Sequence, residues 1–69
     1  MNSNYIINRL KSTLYKYPTV DILRRRLNNV DEITREQIVT NLKKEVRKES
    51  NMDIQKPLFE LLFQIPLAS

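Results

Sequence analysis

Ile33-Thr34-Arg35-Glu36-Gln37-Ile38 is the stretch on which the fold turns. A threonine followed three residues later by glutamine is a capping box, in which each side chain satisfies a free N–H of the other residue. Ile33 before the cap and Ile38 at the fourth helical position have the spacing of a hydrophobic staple. The two devices agree on one start, so the sequence predicts a helix from Arg35 to about Lys48. Ile38, Val39, Leu42 and Val46 then form an apolar stripe at helical spacing. Gln37, Thr40, Asn41, Lys44, Arg47 and Lys48 form the opposite face, which holds no carboxylate.

Working back from that helix, two more are expected. Ser3 caps a first helix, about Asn4 to Lys16, whose inner face is Ile6, Ile7, Leu10, Leu14 and Tyr17. Pro18 stops it, because the residue before a proline avoids helical geometry. Thr19 then caps a second helix, about Val20 to Leu27, with Val20, Leu23 and Leu27 inward and Ile22 off the stripe. Asn28 to Glu32 connect it to the third. Forward from the third helix, Pro57 fits a first helical position and Pro66 a stop. Between them only Glu60 and Gln64 are polar, so this last short helix is expected to be buried nearly all round.

The fold class expected is therefore all-α: a compact bundle of three amphipathic helices plus a short apolar C-terminal helix. No segment alternates with the period of a strand. Sixty-nine residues make one domain at most. A chain this short buries only about 60% of its unfolded surface, so a dimer or partner is one way to complete its core.

Composition excludes several classes of function. There is no Cys and no His, which removes disulfides and the usual catalytic base and nucleophile. A zinc site is left with carboxylates alone. Glycine is also absent, which removes phosphate-cradling loops and leaves Asn28, Asn29 and Asn51 as the residues best suited to left-handed helix ends. Glu45 and Glu49 lie four apart but read as an exposed charge cluster, and Asp31-Glu32 fits no metal loop. An enzyme, a cofactor and a metal site are therefore not expected. No run of eighteen apolar residues is present, so no transmembrane segment is expected, and the setting is read as intracellular, cytoplasmic.

The formal charge of +4 is unevenly distributed. Residues 1–26 carry six cations against Asp21 alone, a net of +5, and the remainder of the chain carries −1. A positive end suits a polyanionic partner. Gln and Asn read adenine edges, Lys and Arg meet guanine or phosphate, and Thr does either, so the outer face of the third helix matches a nucleic-acid-reading surface. With the helix and turn before it, it resembles a helix-turn-helix. The expected connection of about six residues is longer than that motif's usual three or four. Arg9, Lys16, Arg25 and Arg26 are the expected backbone-positioning cations. Tyr5 and Tyr15, interleaved with Arg9 and Lys16, offer stacking surfaces. The plain structural alternative for each of these faces is a solvated helix surface.

A second functional reading rests on the apolar C-terminal helix. Leu58-x-x-Leu61-Leu62 places three leucines on one face, as in helices that dock into apolar grooves. Leu58, Phe59, Leu62 and Phe63 are the expected protein interface, in a homodimer or on another chain. Two expectations stand from the sequence: a small regulatory protein contacting nucleic acid, or an interaction adaptor or inhibitor.

Overall fold

The computed structural model describes residues 1–65. Four helices account for most of them: α1 (Ser3–Ser12), α2 (Lys16–Asn28), α3 (Glu32–Lys48) and α4 (Met52–Gln64). No strand occurs among the described residues, so the all-α expectation is met. No helix among them is long and apolar enough to cross a membrane. Each of the three connections is three residues long.

The helix boundaries correct several sequence expectations. α3 starts at Glu32, not Arg35. Asp31 is its cap: a side-chain oxygen of Asp31 accepts the Thr34 N–H at 3.0 Å. Aspartate caps at least as well as threonine, and starting three residues earlier adds most of a turn. Thr34 is then an ordinary third helical residue and the capping box does not form. The staple does not form either, since Ile33 is 71% exposed while Ile38 is buried.

α1 is capped by Asn2, whose side chain accepts the Tyr5 N–H at 2.9 Å, and Ser3 is its first residue. It ends at Ser12 rather than Lys16. Pro18 therefore does not stop α1; it occupies the third position of α2, where its missing N–H has no intrahelical partner to lose. Leu14, assigned inward on a longer helix, sits in the connection at 94% exposed, and Tyr17 is also exposed. Thr19 is not a cap. It is buried in α2, and its hydroxyl donates to the Tyr15 carbonyl at 2.7 Å.

α4 starts at Met52, capped by Asn51, whose side chain accepts the Asp53 N–H at 3.0 Å. Pro57 is its sixth residue, not its first, and its ring is fully buried. The helix ends at Gln64, with Ile65 in extended geometry as a residue before proline prefers. Pro66 itself lies outside the described residues. No residue among those described has a positive φ, so Asn28, Asn29 and Asn51 do not form left-handed ends.

In place of such ends, the C-termini of α1, α2 and α3 are closed by side chains from the next helix. The Lys16 ammonium donates to the carbonyls of Leu10 and Thr13 at 3.0 and 2.9 Å, behind α1. The Arg35 guanidinium donates to Leu27, Asn28 and Val30 at 2.9, 3.2 and 3.0 Å, behind α2. The Gln55 amide donates to Val46 at 3.0 Å, behind α3. The last carbonyls of a helix have no partners within it, and a chain without glycine must satisfy them by other means.

The core is drawn from all four helices, with Ile6, Leu10, Leu23, Leu27, Leu42, Leu58 and Leu61 wholly or almost wholly inaccessible. α4 packs against each of the other three, whereas α2 and α3 scarcely touch. α4 is not buried all round, however. Ile54, Pro57, Leu58 and Leu61 face the core, while Phe59 and Phe63 face outward.

Candidate interaction surface

The fate of each cation decides what surface the charge can form. Arg24 and Arg25 both pair with Asp21, at 2.7 and 3.0 Å. The Arg24 hydrogen bond, with the charge of Arg25 beside it, holds the Asp21 carboxyl below the usual carboxylate range. Arg26 lies over the Tyr5 ring, 5.4 Å from its centroid, and donates to the Tyr5 hydroxyl at 2.8 Å. Lys11 approaches Glu49 at 3.9 Å. Lys16 and Arg35 close helix ends, as described above. Most of the N-terminal positive charge is thus engaged within the chain.

Among the expected positioning residues, Arg9 is exposed and has no ion-pair partner among the described residues; Arg25 is paired with Asp21, Lys16 is held by backbone carbonyls and Arg26 by Tyr5. The expected stacking surface on the first helix is not assembled. Tyr5 is engaged with Arg26, and Tyr15 lies in the connection between α1 and α2.

The last two turns of α3 differ. Lys43, Lys44, Arg47 and Lys48 are all exposed, and none has an ion-pair partner among the described residues. The cations here point away from the core because Val39, Leu42 and Val46 hold the opposite side of the helix inward. Gln37, Thr40 and Asn41 continue the exposed face toward the helix start. There the face is not free of acid. A shallow depression is lined by Ile33, Glu36, Gln37, Thr40 and Asn41, so a carboxylate and an exposed isoleucine sit among the hydrogen-bonding groups. The connection ahead of α3 is three residues, within helix-turn-helix length and shorter than the six expected.

Beside the cations lies an apolar groove. α3 supplies Lys43, Val46 and Arg47, and α4 supplies Phe59, Leu62 and Phe63. Its volume is about 320 Å³, the lower end of the range for ligand pockets. Leu62 is half-buried against the core, Phe59 is 44% exposed and Phe63 86% exposed. Leu58, expected at an interface, is instead fully buried. It lies four residues from Leu62 but on the inner side, where the helix meets its neighbours.

Two contributors to this surface are not visible from α4 alone. Lys43 belongs to neither face assigned to α3 from the sequence, because it lies at the boundary between them. Val46 is a core residue, buried as its spacing requires, and it underlies the groove where α3 and α4 meet. Along α4, Met52, Lys56, Phe59 and Phe63 are all exposed and share one line at intervals of four, three and four.

Comparison with protein-family models, with curated proteins and with solved structures finds no match. Functional assignment therefore rests on the surface itself.

Proposed function

We propose that this chain is a small non-enzymatic binding module of the cytoplasm that docks another protein on the surface shared by α3 and α4. One observation carries the reading: Phe59 and Phe63 face solvent beside half-buried Leu62 and line one apolar groove with it, whereas Leu14 and Ile33 are exposed elsewhere and line no part of it. Burying a phenylalanine side chain is worth about 1.5–3 kcal/mol, and aromatic side chains at the centre of a groove are favoured anchors for a partner. A photo-crosslinking residue introduced at position 63, with one at exposed Ile22 as control, tests it in the source cell. A discrete protein adduct from position 63 and none from position 22 is the expected result. If position 63 yields no more than the control, the reading fails.

Nucleic-acid contact through the outer face of α3 is the second reading. It is favoured by Lys44, Arg47 and Lys48, which continue the line of Gln37, Thr40 and Asn41 without an ion-pair partner among the described residues. Titration against duplex and single-stranded DNA and RNA across salt tests it. Binding through phosphates weakens steeply with added salt, and removal of Lys44 or Lys48 should reduce that slope by about one each. Absence of binding at low salt removes this reading.

A further inference from the structure

We infer that the groove between α3 and α4 receives an acidic amphipathic helix from another protein, an assignment that rests on the docking function proposed above. The groove joins two chemistries. Its floor and one wall are Val46, Phe59, Leu62 and Phe63, and its other rim is Lys43 and Arg47. No carboxylate lines it. Neither rim cation has an ion-pair partner among the described residues, whereas Arg24 and Arg25 are paired at close range. An occupant with an apolar edge alone would leave both cations facing it without compensation. An occupant with acidic residues beside its apolar edge meets both needs.

The shape of the surface selects a helix. Phe59 and Phe63 are one turn apart, and the exposed line continues back through Lys56 to Met52. From Met52 to Phe63 the axis rises about 16 Å, or three turns. A helix laid alongside presents apolar residues at i, i+3 or i+4, i+7 and i+11 over the same length, the pattern by which amphipathic helices occupy grooves. Lys56 adds a third cation on this line. A second copy of the chain fits less well. A two-fold contact centred on Phe63 uses the same patch from both copies and brings two cationic rims together.

The test is selection followed by binding. A random library of 16-residue peptides is panned against the whole chain, and the recovered peptides are labelled for fluorescence anisotropy. The expected peptides carry net negative charge and apolar residues at helical spacing. Their affinity should fall at least tenfold with Phe63→Ser and at least tenfold with the double reversal Lys43→Glu, Arg47→Glu, and be unchanged by Ile22→Ser. All these positions are exposed, so the variants keep the core intact. Replacing the peptide's acids by lysine should restore binding to the double-reversed protein.

Peptides that depend on Phe63 but show no acidic excess and ignore the double reversal would overturn the acidic assignment and leave the docking function standing. Peptides indifferent to Phe63→Ser would overturn both. Sedimentation that shows self-association abolished by Phe63→Ser would give the groove to a second copy, and would also overturn the assignment.

Discussion

Three side chains perform a task that many proteins give to glycine. Lys16, Arg35 and Gln55 each reach back across a three-residue connection to the open end of the preceding helix. Arg35 has the largest share, with three carbonyl acceptors. Replacing it with methionine keeps the stem and removes the donors, so Arg35→Met should lower stability by about 1.5–3 kcal/mol. Arg35→Lys should recover only part of this, because an ammonium lacks the fork that spans several acceptors. Urea midpoints measure both, and equality with an Arg47→Met control would show that the cap contributes nothing. At the other end of the same connection, hydrogen bonding from Thr34 holds the Asp31 carboxyl below its ordinary value. A depressed folded-state pKa stabilises above the unfolded value, near 3.8, and the contribution is lost as pH falls through the folded one. Wild type should therefore lose stability below about pH 4. Asp31→Asn, which keeps the accepting oxygen but does not titrate, should make that acid limb shallower and leave the part that belongs to Asp21. An unchanged limb in urea titrations at stepped pH would argue against the assignment. The sequence contains all these groups, yet it does not rank them. Asp31 and Thr34 are both good caps three residues apart, and only the advantage of the longer helix separates them.

At the scale of the element, legibility follows periodicity. The inward faces of α2 and α3 are readable because Val20, Leu23 and Leu27, and Ile38, Val39, Leu42 and Val46, repeat at helical spacing and are buried as that spacing requires. α1 is readable to Leu10. Beyond it, Leu14 and Tyr17 continue the period by coincidence, and the chain turns before reaching them. Both prolines mislead for one reason: each reads as a boundary, yet each sits inside a helix, Pro18 in a first turn and Pro57 one turn further in. The interaction surface is legible in half. Phe59 and Phe63 stand out as apolar excess on α4, but the cationic rim belongs to α3 and depends on how the two helices lie together. The inner side of α4 should dominate its energetics. Leu61→Ala is expected to cost about 2–5 kcal/mol, since Leu61 is fully inaccessible. In a domain this small each kcal/mol lowers the melting temperature by about 4–8 °C. Ile22→Ala, at an exposed position, should stay within about 0.5 kcal/mol of wild type. Thermal denaturation followed by circular dichroism compares the two, and equal effects would mean that α4 is not the centre of the core.

For the whole molecule, the arrangement depends on the helix that comes latest among the described elements. The Cα radius of gyration is 11.0 Å, and a folded chain of this length is expected at roughly 11 Å. That compaction needs α4, because α2 and α3 have little direct packing beyond the Arg35 hydrogen bonds, and α4 packs on both more extensively than α1 does. No local pattern announces this; which helices are neighbours is a property of the packed globule and not of any window of sequence. A fragment of residues 1–50 should consequently show little helix by circular dichroism, since isolated helices of ten to seventeen residues are marginal in water. A cooperative melt of that fragment would contradict the central role of α4.

The direction of the caps has a consequence for how the protein is made. A ribosome releases each helix before the residue that closes its carboxyl end, and it releases α1, α2 and α3 before the helix that unites them. The nascent polypeptide therefore has no stable stopping point on the way out. It is expected to stay open to proteases and chaperones until α4 emerges, and then to close as a unit.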